Sequence, residues 1–366
     1  MDILEATASY ENWIRKYIRI IDKDLELKHQ RMAEDVFEFF RATYYRWAQV
    51  WQLSADSLTK APEVLGIGDL HVENFGTWRD VEGRLIWGIN DFDEATESPY
   101  TADLIRLAAS AHLAITTEKL AITRGDVCDA ILGGYVEALT KGPKAFVLAE
   151  DNLDLRRMAV ARLKDPGIFW KKLAAVPNWK GKVSGKARRA MMKLMPEQNL
   201  EGRILHRIAG LGSLGRERFV TLSDWRGALI AREAKALAPS AAVWAKIPGS
   251  TSRILYQKIL DVSIRCKDPF VRLQDSWVVR RLAPDCSRIE LSDLPEGKDE
   301  RYLARCMGFE TANVHLGSQK PKAILAHLKT LPKRWLDDAA RDMVENVEHD
   351  QKKWSGGTKR TAKARR

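Results

Sequence analysis

Two β-like stretches interrupt a chain that otherwise reads as helix, and this alternation limits the fold to the mixed α+β class. Over the first fifty residues, Trp13, Tyr17, Ile20, Ile21 and Leu25 recur at helical spacing, followed by Met32, Val36, Phe37, Phe40, Tyr44 and Trp47. Aromatics at this spacing predict core-facing helices. The texture changes at Pro62. Val64-Leu65-Gly66-Ile67-Gly68 predicts a strand that runs into a loop at Asp69. Residues 75–78 and 85–89 predict two strands around the bend Asp80-Val81-Glu82-Gly83. Helical spacing returns over 102–139, with a break near Gly125, and continues through a basic segment, 149–200, punctuated by Pro166, Pro177 and Pro196. The second β-like stretch begins at Ile204. It contains residues 219–222, a turn at Asp224-Trp225-Arg226-Gly227, residues 228–231 and a further strand over 276–282. Residues 301–347 are again mainly helical, and there is no internal repeat.

Composition narrows the class. With 366 residues, 45% hydrophobic and 30% charged, the chain is neither disordered nor collagen-like, and it is long enough to bury a sizeable core. No apolar run reaches the ~18 residues of a membrane span. The start, Met1-Asp2-Ile3-Leu4-Glu5, lacks the basic and apolar regions of a secretory signal. Cys128, Cys266, Cys286 and Cys306 form no closely spaced pair, so reduced thiols in a cytoplasmic protein are expected and a zinc site is not. The net charge of +11 would point to nucleic acid, but Lys352, Lys353, Lys359, Arg360, Lys363, Arg365 and Arg366 supply seven of those charges. Without them the rest carries +4. A basic tail of this kind reads as a solvated end with weak polyanion contact.

The chemistry concentrates in residues 69–93. Asp69 and Asn74 stand five apart in Gly68-Asp69-Leu70-His71-Val72-Glu73-Asn74, and Asp91 ends the apolar strand that follows. Phosphoryl transfer needs such a set: one carboxylate to orient the attacking hydroxyl, and an amide oxygen with a second carboxylate to hold magnesium. Asp, Asn and Gly also populate ordinary turns, which is the competing reading for each residue alone. His71 either touches substrate or phosphate, or holds the loop by a structural hydrogen bond. Asp93 and Glu94 read as a further metal contact or as a solvated turn, with Asp91 favoured as the principal ligand.

A second constellation is Gly210-Leu211-Gly212-Ser213-Leu214-Gly215. Glycines let backbone amides approach a phosphate closely, although a plain bend between strands accounts for them equally well. It is not a Walker A loop, because no Gly-Lys-Ser/Thr follows. Lys235 lies twenty residues after Gly215 on the next apolar strand, where a kinase lysine reaches the nucleotide phosphates. Arg232 falls on the opposite strand face, and Lys235 is the residue expected to face the site.

The segments Gly68-Asp69-Leu70-His71-Val72-Glu73-Asn74 and Ile89-Asn90-Asp91-Phe92-Asp93 resemble the catalytic core of aminoglycoside phosphotransferases and other kinase-like small-molecule kinases. With Asp103-Leu104-Ile105-Arg106-Leu107-Ala108-Ala109-Ser110 and the later glycine and lysine segments, the chain resembles more closely the bacterial family named domain of unknown function 2252, over about residues 32–315. The resemblance implies a two-lobed protein-kinase-like α+β fold with additional helices, binding ATP and Mg²⁺. Asp69 corresponds to the catalytic aspartate, Asn74 and Asp91 to the metal ligands, and Asp103 to a structural aspartate. The order is reversed relative to ordinary kinases, since the glycine loop follows the catalytic segment by over 130 residues. A circular permutation would reconcile this.

The expected organisation is N-terminal helices over 1–60, a catalytic and metal-binding lobe over 61–200, and a β-rich nucleotide-clamping lobe over 201–295. C-terminal helices over 296–350 and a flexible basic tail over 351–366 complete it. The expected function is phosphoryl transfer to a hydroxyl acceptor, with Gly210, Gly212, Ser213, Gly215 and Lys235 holding the nucleotide. Adenylyl transfer, a catalytically silent nucleotide-binding regulator and a nucleic-acid-binding module are the alternatives.

Overall fold

The computed structural model describes residues 1–149, 151–286 and 297–364. Five helices come first: α1 (Ile3–Ile14), α2 (Asp22–Glu34), α3 (Val36–Ala42), α4 (Tyr44–Trp51) and α5 (Asp56–Thr59). Strand β1 (Glu63–Gly66), the hairpin β2 (Phe75–Arg79) and β3 (Leu85–Ile89), and β4 (Thr96–Pro99) follow. Two long helices, α6 (Tyr100–Glu118) and α7 (Arg124–Lys141), then lead through β5 (Phe146–Val147) to α8 (Leu153–Ala161), α9 (Pro166–Ala174) and α10 (Gly185–Met192). The second strand-rich stretch holds β6 (Arg203–His206), β7 (Arg218–Trp225), β8 (Ala228–Ala236), the short helices α11 (Ala241–Trp244) and α12 (Tyr256–Val262), then β9 (Arg272–Gln274) and β10 (Trp277–Leu282). Helices α13 (Gly297–His315), α14 (Pro321–Leu328) and α15 (Trp335–Ala364) complete the chain.

The strands form three separate antiparallel sheets: β1-β4, β2-β3-β5 and β6-β7-β8-β10-β9. Local chemistry sets many element ends. Asp2 and Glu5 make a reciprocal capping box at the start of α1. Thr123 caps α7 through the Asp126 amide, so the expected break falls before Gly125, which lies in the first turn of α7. Asp165 caps α9 with Pro166 in its first turn, so this proline begins a helix as well as ending the preceding segment.

The five-stranded sheet is buried on both faces, and its strands divide their side chains accordingly. Phe219, Ala234 and Val279 join the main core with the helices. Val220, Leu222 and Ala231 form a smaller cluster under Phe169 and Trp170 of α9. Helices α7 and α13 approach each other across glycines, since a Cβ on Gly134 would lie 1.9 Å from the Arg305 carbonyl oxygen.

The C-terminal segment differs from the flexible tail expected over 351–366. Helix α15 continues to Ala364. Its face near residue 350 is anchored: Arg46 pairs with Asp350 at 2.6 Å, and Trp354 is buried with its indole N–H donating to the His29 carbonyl at 3.1 Å. Lysine, arginine and alanine favour helix, so the basic composition carries the anchored helix onward. The boundary expected at 295–296 lies outside the described residues, as do tail residues 365 and 366. Among the described residues no helix is long and apolar enough to cross a membrane.

Candidate functional site

The loop after β1 is held by its backbone. Asp103, buried in the first turn of α6, accepts hydrogen bonds from the amides of Ile67 at 2.7 Å and Gly68 at 2.9 Å. His315 of α13 pairs with the same carboxylate at 2.9 Å, and Tyr135 meets the other ring nitrogen of His315 at 2.8 Å. Gly68 has φ +86° and turns so tightly that a Cβ there would lie 2.3 Å from the Glu94 carbonyl oxygen. This bend delivers Asp69 to the protein interior. A 3-10 turn, Val72–Asn74, follows, with the Val72 amide donating to Ser110 at 3.0 Å.

The hairpin then closes the set. Its register places Phe75 opposite Ile89, so the residues flanking that pair, Asn74 and Asn90-Asp91, emerge together at one end. The Asn90 amide donates to the Asn74 carbonyl at 2.9 Å. Asn74 Nδ2 donates to the Asp69 carbonyl at 2.8 Å, which orients the side chain and leaves its amide oxygen able to serve as a ligand atom.

Asp69 is fixed by a residue to which the sequence reading gave no role. Arg106 is 0% exposed, and its Nε donates to Asp69 Oδ1 at 2.8 Å while Nη2 pairs with the same oxygen. The guanidinium lies 4.0 Å from the Phe40 ring centroid and also faces Trp47 and Tyr44. Burial raises the Asp69 carboxyl above its ordinary range, against the opposing pull of Arg106. The other oxygen, Oδ2, lies 3.5 Å from where a Cβ on Gly212 would stand.

Asp91 and Asp93 share Lys235. The ammonium is 1% exposed and sits 2.6 Å from Asp93 Oδ2 and 3.2 Å from Asp91 Oδ2. Burial opposes the charge on Asp91, but Lys235 and Arg280 outweigh it and hold this carboxyl below its usual range. Asp93 moves the other way, raised by burial and by the neighbouring Asp91 charge. The Asp91 side chain is 34% exposed against 11% for Asp93. Asp91 is therefore the more open carboxylate, while Asp93 keeps one buried oxygen, Oδ1, without a hydrogen-bond partner. Neither Asp93 nor Glu94 lies in a solvated turn. Glu94 is buried, pairs with Arg216 at 3.0 Å and accepts from the Ala241 amide at 2.6 Å, which fixes the start of α11. His71 Nδ1 accepts from the Glu73 amide at 3.2 Å, a loop-holding bond.

The glycine-rich segment packs directly onto this acidic set. Gly210 has φ +71°, Leu211–Ser213 make a 3-10 turn, and Gly212 approaches so closely that a Cβ would lie 2.8 Å from the Arg41 carbonyl oxygen. Ser213 accepts from Arg218 at 2.6 Å and donates to the Gly210 carbonyl at 3.2 Å. The Gly215 carbonyl accepts from the Ile21 amide at 2.7 Å, tying the segment to α2. Asp69, Asn74, Asp91, Gly210, Gly212 and Ser213 thus line one cavity of about 60 Å³, whereas Gly215 and Lys235 stand behind its wall. Arg232 lies on the other sheet face, donating to the Leu194 carbonyl at 2.7 Å beneath Phe270.

A larger cavity of about 480 Å³ meets the first at Asn90, Asp91 and Gly210. Its walls are rich in arginine. Arg207, Arg218 and Arg280 converge on Glu233, which is 1% exposed; Arg280 lies at 3.3 Å and Arg218 at 3.4 Å. Burial works against the Glu233 charge, yet the three guanidiniums prevail and keep its carboxyl well below the ordinary range. Three cations on one anion leave the wall positive. Arg265 lies 4.4 Å from the Trp78 ring centroid and 5.3 Å from Phe92, with its Nη1 buried and without a hydrogen-bond partner.

The donor set suits a hard divalent cation: an amide oxygen at Asn74, an open carboxylate at Asp91 and the orphaned Asp93 oxygen nearby. Sequence reasoning missed Lys28, Arg41, Arg106, Arg216 and the chamber arginines. Arg106 stood inside a quoted motif, and Lys28 stands three residues after Leu25 and four before Met32, on the buried stripe of α2. A lysine on such a stripe is the one signal that could have flagged it.

No curated protein and no solved structure matches the chain. Residues 19–199, which carry Asp69, Asn74, Asp91, Asp103 and Arg106, match the family model of domain of unknown function 2252, described as an uncharacterized protein conserved in bacteria.

Proposed function

We propose that the protein is a Mg²⁺- and ATP-dependent phosphotransferase of kinase-like, circularly permuted fold, acting on a hydroxyl acceptor. One observation carries the reading. Asp69, Asn74 and Asp91 share a cavity with a glycine turn that lies over 110 residues away in sequence. That turn joins the adjacent strands β6 and β7, and Lys235 stands on the next strand, β8, a strand order that resembles the glycine loop and lysine strand of kinases, with the Lys235 side chain set behind the cavity wall.

Each residue has a separable task. Asp69 Oδ2, on a carboxyl raised by burial and steadied through its other oxygen by Arg106, accepts the acceptor proton. The acceptor oxygen bonds to phosphorus as the bond to the departing nucleotide breaks. Asn74 and Asp91 would hold magnesium, which neutralises phosphate charge. The 480 Å³ chamber lies on the Asp91 side, is not lined by Asp69, and falls in the ~300–1,000 Å³ range of small-molecule sites. It takes the nucleotide, its phosphates meeting the arginines.

Replacing Asp91 with alanine is expected to abolish Mg²⁺-dependent binding of a non-hydrolysable ATP analogue, measured by titration calorimetry. Unchanged binding would count against the assignment. Product identity separates phosphoryl transfer, which releases ADP, from adenylyl transfer, which releases pyrophosphate and leaves AMP on the acceptor. A silent regulator would bind nucleotide and show no turnover with any acceptor.

A further inference from the structure

Two buried lysines stand near the candidate site, and their surroundings differ. Lys235 faces two carboxylates and lines neither cavity. Lys28 of α2 is 6% exposed and lines the small cavity with Asp69, Asn74 and Asp91. Among the described residues it forms no ion pair, and its one hydrogen bond is donated to the Gly212 carbonyl at 3.1 Å. An ammonium has three N–H donors, so two remain for a ligand. Burying a cation without a counter-charge is costly, and an oxyanion in the cavity would offset that cost.

We propose that Lys28, and not Lys235, is the lysine that grips the phosphoryl group, acting with the glycine turn 210–213 as an oxyanion site opposite Asp69. This assignment rests on the phosphotransfer reading and names its phosphate contact. Lys235 is then the internal counter-ion that holds Asp91 and Asp93 in place.

Three further observations support it. The turn that holds Lys28 through the Gly212 carbonyl also lines the cavity along its whole length, Gly210 to Ser213, so its backbone stands where a phosphoryl group would sit. The cavity's 60 Å³ admits a few waters or one phosphoryl-sized group, while the adjoining chamber is large enough for a nucleoside. Burial, then repulsion from Arg216, pushes the Lys28 ammonium down to about 8, against the opposing pull of the Glu11, Asp69 and Glu94 carboxylates.

The test is calorimetric titration of the full chain with a Mg²⁺-bound non-hydrolysable ATP analogue, with Mg²⁺-pyrophosphate and with adenosine. The variants are Lys28→Met and Lys28→Arg, with folding followed by thermal unfolding. Lys28→Met is expected to weaken the analogue and pyrophosphate by roughly tenfold or more, leave adenosine unchanged and unfold near the wild-type temperature. Lys28→Arg, which keeps the charge and packing should the neutral variant fail to fold, is expected to restore most pyrophosphate binding. If wild type and both variants bind the analogue alike, the Lys28 assignment falls and the nucleotide reading stands. If pyrophosphate binds in a Lys28-dependent way but no nucleotide does, the oxyanion site stands and the nucleotide reading falls. A wild-type protein that binds neither anion overturns both.

Discussion

The two cavities that meet at Asp91 are built on opposite electrostatic plans. Around the small one, most cations are already answered by carboxylates: Arg106 is spent on Asp69, Lys235 on Asp91 and Asp93, Arg216 on Glu94 and Arg41 on Glu73, while Lys28 meets a carbonyl. Around the large one, three arginines crowd the single carboxylate of Glu233, and Arg265 keeps a buried guanidinium nitrogen without an acceptor. The first wall is suited to a metal ion and to moving a proton. The second is suited to an anion. On the phosphotransfer reading proposed above, a magnesium-bound phosphate ester would span the pair.

That contrast can be broken from either side. The largest effect is expected at Asp69. Replacing it with asparagine should lower turnover by about 10²–10⁴-fold while leaving analogue binding in the chamber nearly unchanged, as read by steady-state rates and calorimetry on the same preparation. Equal loss of binding would move Asp69 from proton transfer to a structural task. The next effect belongs to Glu233. Its replacement by glutamine leaves three buried guanidiniums without their carboxylate, and a loss of about 3–5 kcal/mol in urea unfolding is expected. The surviving protein should bind pyrophosphate more tightly, because its arginines are released. Weaker binding would show that Glu233 orients them.

The smallest effect is a pH dependence that distinguishes the two walls. Asp93 is pushed up to about 6 by burial and by Asp91, above its unfolded value of 3.8. A carboxyl raised on folding holds its proton more tightly in the folded state, so its contribution is fully present below pH 3.8 and is lost as pH rises through about 6. Glu233, lowered on folding, contributes above its unfolded value of 4.5 and loses that contribution only in stronger acid. Between pH 7 and pH 5, wild type should gain on the order of 1 kcal/mol relative to Asp93→Asn in chemical unfolding. Parallel curves for the two proteins would show that Asp93 does not carry the difference.

Much of the local structure was legible in the sequence, for identifiable reasons. The hairpins β2–β3 and β7–β8 are announced by apolar runs around polar, glycine-containing bends, which need only short-range chemistry. Strand alternation separated Lys235 from Arg232, and the structure puts them on opposite faces of β8. The spacing of Asp69, Asn74 and Asp91 could be read because one loop and one hairpin hold all three. The continuation of α15 beyond residue 350 could not be read from the sequence, since its anchors, Arg46 on Asp350 and Trp354 on His29, lie some three hundred residues away in the chain.

By itself, then, the sequence determined which backbone can turn, where strands pair with their neighbours and which oxygen-bearing side chains stand together near residue 91. Only the tertiary structure decided which charges are already neutralised. Lys235 and Lys28 are equivalent as letters, yet one is answered by Asp91 and Asp93 and the other by a single carbonyl. Pairing over such distances depends on how α2, α3, the glycine turn and the acidic hairpin pack together. Burial then converts that packing into electrostatics by removing the water that would otherwise make all these charges alike.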